Sequence, residues 1–316
     1  MTPAFLRRAT VNFVMAKQAA KHSSGATLPS NQAQIVDPRW LLRTLGLLVV
    51  LALVCGYLTL GLLFYLGSWQ LALRPTHDTA KGTGLASQRV AFSSGGDQVQ
   101  GQWMPAAGTS TRASYAVLYL RGADGQLDGG DGTQIAALHE QGLGVLAFDY
   151  RGYGLNPPQP HPTEKRMLQD ALAGWEYLAG RRGFSPDHII IVGSGVGVSL
   201  GAHLLAQQNS GAALIGYNAD SDVLARVRRD PRSHLFPVKL VFHERFSLDA
   251  LTQLRQPKLL YSTGPLDAAR TALYRNAADP KVTVEVPTHN ARQEQVALSR
   301  FLDAYVPAGP TLLPIQ

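Results

Sequence analysis

From Thr44 to Leu73 no residue is charged, and within that stretch "LGLLVVLALVCGYLTLGLLFYL" runs 22 residues. At about 1.5 Å of helical rise per residue, such a run crosses a hydrocarbon layer of roughly 30 Å. Trp40, Tyr65 and Trp69 stand near its ends, where amphipathic rings favour the membrane interface. The pattern predicts one transmembrane helix over residues 40–69, behind a polar tail, residues 1–39. The run is longer and starts later than the apolar core of a cleaved signal peptide. Within the tail, "FLRRATVNFVMAKQAAK" reads either as a short amphipathic helix on the membrane surface or as an unstructured segment.

After Arg74 the pattern changes to short apolar runs separated by helical periodicity. Strands are expected at 87–94, 98–104, 115–121, 144–150, 188–194, 212–218, 257–263 and 281–287. Helical patterns lie near 132–142, 163–181, 196–208, 266–277 and 291–305. Two strands followed by strand–helix alternation predict an α/β domain over residues 70–306, with a mainly parallel eight-stranded sheet covered by helices on both faces. The internal runs are apolar throughout, as strands buried on both sides must be. Residues 220–255 are longer and more polar than the other connections and contain Pro231 and Pro237. They read as a cap-like insert. Residues 307–316 are left as a C-terminal tail.

Composition narrows the function classes. The chain has 316 residues, 45% of them hydrophobic, enough for a sizeable core and one large domain or two small ones. Its net charge of +7 is modest, and no basic patch is interleaved with aromatics, so nucleic acid is not an expected partner. Arg7, Arg8, Lys17, Lys21, Arg39 and Arg43 precede the apolar run, and only Arg74, Lys81 and Arg89 follow soon after. The positive-inside rule then puts the N-terminus in the cytoplasm and the large domain outside it, in the periplasm of a Gram-negative cell. The single cysteine, Cys55, excludes an intrachain disulfide and a paired-cysteine metal or redox motif. No cofactor or metal is expected.

The chemistry is concentrated at the strand ends. "HIIIVGSGVG" is a buried strand, a tight glycine turn and a helix start. "LYLRGADG", "AFDYRGYG", "TGPLD" and "PTHN" end other strands. In this order the motifs resemble the α/β-hydrolase fold family, in particular its membrane-anchored, serine-aminopeptidase-like branch. The resemblance covers roughly residues 70–306, and "AFDYRGYG" is its most specific match.

The resemblance implies a nucleophile on the strand–turn–helix elbow, flanked by glycines that let the helix pack closely. Gly193 and Gly197 match the flanks, so the nucleophile position is Gly195, which has no side chain to attack a carbonyl. It also implies an acid at Asp267 and a histidine at His289 to orient and deprotonate the nucleophile. Backbone amides of Ala123 and Val196 would form the oxyanion hole. Arg121 stands where the family usually has histidine, and acidic Asp124 is close by. Other readings stay open beside these. Asp267 is suited to cap the next helix, and His289 to lie in solvent. Ser194 is expected to point away from the site, because neighbouring strand residues face opposite ways, and Ser199 to pack against the sheet. "GSGVG" is weakly similar to a dinucleotide fingerprint, but Val198 occupies the position of its third glycine.

The resulting expectation is a membrane-anchored pseudohydrolase that binds a small acyl or peptide ligand or a protein partner. The alternative is an active serine-hydrolase-type enzyme that cleaves esters, thioesters or short peptides with a non-standard nucleophile.

Overall fold

The computed structural model describes residues 37–75, 86–123, 130–154, 156–157, 161–220, 222–236, 238, 242, 244–264, 266–288 and 290–309. The expectations for the tail up to residue 36, for Asp124, for His289 and for residues 310–316 lie outside these. Two compact units are present, Met1–Gly56 and Tyr57–Gln316.

Helix α1, Pro38–Ala72, is 35 residues long. Its most apolar window has a mean hydropathy of 2.6, so it is long and apolar enough to cross a membrane. The described part of the first unit consists of the opening of this helix.

In the second unit eight strands form one sheet in the order β1-β2-β4-β3-β5-β6-β7-β8. They are β1 Gln88–Ser94, β2 Asp97–Met104, β3 Ala116–Leu120, β4 Gly144–Phe148, β5 Ile189–Ser194, β6 Ala213–Tyr217, β7 Lys258–Thr263 and β8 Lys281–Val286. β2 runs antiparallel to β1 and β4, and every other pairing is parallel. The fold is the α/β-hydrolase fold.

Strand alternation splits the core in two. Ala116, Leu118 and Leu120 of β3, with Ile189 and Ile191 of β5, join a layer under α3, Glu164–Glu176, and α4, Val196–Gln208. Val117, Tyr119, Ile190 and Val192 face α2, Gly130–Glu140, and the last helix, α7, Ala291–Tyr305. Both faces of β3, β4 and β6 are buried, which is why those runs carry no polar alternation.

Between β6 and β7 the chain forms the short helix α5, Val223–Arg228, and 3-10 turns at Pro231–His234 and Asp249–Thr252. Helix α6, Ala268–Asn276, follows β7. Four helices begin where the sequence supplies a cap: Thr163, Asp222, Asp267 and Asn290 accept hydrogen bonds from the amides of Arg166, Ala225, Arg270 and Gln293. Each satisfies a first-turn amide that has no partner inside its own helix.

Candidate active site

The elbow between β5 and α4 is held by backbone packing. A Cβ on Gly193 would lie 2.5 Å from the Gly197 carbonyl carbon, and one on Gly197 would lie 2.1 Å from the Leu120 carbonyl oxygen. Neither position admits a side chain, because the first turn of α4 is pressed onto β3 and β5. Gly195 is different. It sits at φ 54° and ψ −116° as the residue before α4, a conformation that a residue with a side chain adopts only under strain. A Cβ there would meet only the Gly122 Cα, at 3.6 Å, an ordinary contact. The turn therefore has room for a side chain at a position that carries only a hydrogen.

Two hydrogen bonds fix this geometry. The Gly195 amide donates to the Tyr217 carbonyl at 2.9 Å, and the Gly195 carbonyl accepts from the Asp220 amide at 3.2 Å. Val196 opens α4, where the first amides have no intrahelical acceptor. Ala123 is buried, and its carbonyl accepts from the Arg74 amide and the Tyr153 hydroxyl, both at 3.1 Å. The loop after β3 is thus tied to the exit of α1 and to "DYRGYG".

Arg121 is completely buried. Its guanidinium pairs with Asp149 and lies 3.6 Å from Asp131. Burial pushes the Asp131 carboxyl up and the Arg121 guanidinium down, and their mutual attraction opposes both shifts. Asp131 also accepts from the Tyr119 hydroxyl at 2.8 Å. Arg151, next along in "DYRGYG", pairs with buried Asp170 at 2.7 Å, and Ser94 donates to the same carboxylate at 2.6 Å. The charged residues of this motif serve internal ion pairs.

Asp267 takes the capping role. It accepts from the Arg270 amide at 2.7 Å and from Arg270 Nε at 3.3 Å. The amide bond leads in holding its carboxyl below the usual range. It lines a cavity of about 230 Å³ with Asn218, Asp220, Arg226 and Arg229. Asp220 ion-pairs with Arg226, and its amide bond to Gly195 connects this cavity to the elbow. Sequence reading missed Asp220 and Arg226, because the insert that holds them has no regular period.

Ser194 ends β5 half-buried, opposite Tyr217 in the register. By alternation it faces away from Gly193 and α4. Ser199 is buried, but not against the sheet as its sequence position suggests. Its hydroxyl donates to the Ser247 carbonyl at 2.6 Å, because that face of α4 is covered by the insert. Among the described residues no cluster of His, Cys, Asp or Glu is arranged to hold a metal.

No family model matches the chain. An uncharacterized protein of Mycobacterium tuberculosis is 32% identical over 184 residues, 57% of this chain and 63% of that protein. Alpha/beta hydrolase domain-containing protein 17B of Xenopus tropicalis is 29% identical over 106 residues, 34% of this chain and 36% of that protein. The matches thus span less than two thirds of either relative. A Pyrococcus furiosus esterase superposes with a TM-score of 0.58 at 15% identity, covering 73% of this chain and 98% of that one. Strand order, elbow geometry and these similarities agree: the chain has the fold of the α/β-hydrolases and is similar in sequence to α/β-hydrolase domain proteins.

Proposed function

We propose that the chain is a membrane-anchored protein of the α/β-hydrolase family, of the serine-aminopeptidase-like branch, that binds an acyl or peptide ligand or a protein partner without cleaving it. The observation that carries this reading is Gly195, whose φ of 54° and ψ of −116° stand at the nucleophile turn with no side chain. The two nearest serines give the hydrolase reading little support. Ser199 is bonded to the Ser247 carbonyl, and Ser194 faces away from α4 by strand alternation. In the proposed site His289 and Asp267 are the partners of a missing serine, and Ala123 and Val196 present amides to a ligand carbonyl.

The test is Gly195→Ser. The space around the turn accepts the new side chain, and the positive φ costs roughly 1–2 kcal/mol. The folded variant is expected to react with a fluorophosphonate and to hydrolyse p-nitrophenyl acetate slowly, whereas wild type and Gly195→Ala do neither. Turnover by wild type that is abolished by Ser194→Ala or Ser199→Ala would overturn the reading in favour of an enzyme with a non-standard nucleophile.

A further inference from the structure

The insert after β6 runs back along α1. At its start, Arg226 Nη1 donates to the carbonyl of Ala72, the last residue of α1, at 3.3 Å. Near its middle, the Tyr57 hydroxyl donates to the Leu235 carbonyl at 3.0 Å. Between these points the Phe236 ring stacks on Phe64 with centroids 5.3 Å apart and leans on Tyr57 at 5.5 Å. Gly61 leaves room for it, since a Cβ there would touch that ring at 3.4 Å. Residues 226–236 of the insert therefore follow the helix for about 22 Å, from Ala72 back to Tyr57, at about 1.5 Å per residue.

Helix arithmetic sets the depth of this contact. Arg43 is the last charge before the apolar run, and a span needs about 20 residues. A hydrocarbon layer that begins at Thr44 thus extends at least to Leu63. Tyr57 then lies about 9 Å inside its far edge. A backbone carbonyl at that depth must be bonded within the protein, and the Leu235 carbonyl is. Leu235 is 67% exposed, and Leu58, Leu60 and Leu62 of the same stretch of α1 are exposed as well.

The residues leading up to Leu235 carry the complementary charge. "VLARVRRDPRSHLF", residues 223–236, holds four arginines and one aspartate, a net of +3. Arg228, Arg229 and Arg232 are exposed, with Arg232 also paired to Asp230 at 2.8 Å. An apolar tip behind a row of arginines matches the acyl chains and anionic phosphates of a bilayer surface.

We propose that residues 228–236 form a membrane-inserted shoulder, with Leu235 among the acyl chains beside α1 and Arg228, Arg229 and Arg232 among anionic phospholipid headgroups. The proposal rests on reading α1 as a membrane span. It places the cavity beside Gly195, which Arg226 and Arg229 help to line, next to the leaflet.

The experiment uses the full chain in nanodiscs of brominated phosphatidylcholine and phosphatidylglycerol. Cys55→Ala removes the native thiol, and a bimane label is placed at Leu235→Cys, Leu58→Cys or exposed Thr109→Cys. The Leu235→Cys label is expected to be quenched by bromine as strongly as the Leu58→Cys label and to be shielded from aqueous iodide, with Thr109→Cys the reverse. If Leu58→Cys is quenched and Leu235→Cys behaves like Thr109→Cys, the shoulder is wrong and the span stands. If Leu58→Cys itself escapes bromine, the span fails and takes the shoulder with it. Shielding from iodide without bromine quenching would mean that protein covers Leu235, and also overturns the proposal. Neutralising Arg228→Gln, Arg229→Gln and Arg232→Gln together is expected to lower Leu235→Cys quenching in discs with phosphatidylglycerol and to leave it unchanged in pure phosphatidylcholine. Equal quenching in all discs would remove the anionic headgroups from the proposal.

Discussion

The turns at the ends of β3, β4 and β5 are built by opposite means. The β5–α4 elbow is specified by backbone: three glycines, two backbone hydrogen bonds and close approach to β3. The turns after β3 and β4 are specified by side chains: Arg121 with Asp149 and Asp131, and Arg151 with Asp170. A turn made of backbone keeps its shape whatever stands at its tip, because a side chain there contributes little to the packing. A turn made of buried ion pairs cannot lose a partner so cheaply, because the charge left behind has no solvent. The elbow's geometry is therefore evidence of fold, and what stands at Gly195 is evidence of chemistry.

The largest expected effect breaks the ion-pair side of this comparison. Arg121→Ala leaves Asp149 and Asp131 buried without their guanidinium, a loss of roughly 3–5 kcal/mol. Chemical denaturation should show it as a lower midpoint with an unchanged slope. Arg121→Met with Asp149→Asn and Asp131→Asn should recover much of that loss, since replacing the guanidinium together with both carboxylates leaves no stranded charge. A single variant no less stable than wild type would show that the pair does not hold the turn.

The second effect sharpens the elbow side. Gly197→Ala drives a Cβ into the backbone of Leu120 and Arg121, which have no rotamer with which to yield. Overpacking of this kind costs about 3 kcal/mol. Gly195→Ala meets only an ordinary contact and pays roughly 1–2 kcal/mol for its positive φ. Thermal unfolding should rank Gly197→Ala well below Gly195→Ala. The reverse order would mean that strain at the turn, not close approach of the helix, dominates this elbow.

The same contrast explains what the sequence makes legible. All eight strands lie within a few residues of their expected ranges, and β3 to β7 do so because central strands are written as contiguous hydrophobic blocks. The elbow is legible for a related reason: glycines at Gly193, Gly195 and Gly197 mark where the apolar period changes from strand to helix. The partners of Arg121 and Arg151 are not, since nothing local couples residue 121 to Asp149 or Asp131, or residue 151 to Asp170. Least legible is the contact of Leu235 with Tyr57, 178 residues apart, in an insert whose short helical pieces carry no sustained period. Asp267 was readable in two ways at once, as a cap and as a catalytic acid, because both roles ask for a carboxylate at the same turn. The structure displays the capping contacts directly.

Asp267 gives the smallest effect, and one whose sign can be worked out. Its carboxyl is held below its ordinary value of 3.8, first by the Arg270 amide and then by the Arg270 side chain. A depressed carboxyl stabilises the fold when ionised. Its contribution is complete above the ordinary carboxylate range and is lost as pH falls through the lowered value. The residue is half exposed, so solvent screening limits the ion-pair part, and the cap accounts for most of the effect. Asp267→Ala should cost about 1 kcal/mol at neutral pH, and Asp267→Asn, which keeps an accepting oxygen, clearly less. Urea titrations of the three proteins from pH 7 down to pH 3 should show the gap between wild type and Asp267→Asn closing toward the acid end. A gap that widens as pH falls would mean that Asp267 is not the charged cap of α6, and that its carboxylate is available for another partner at the site.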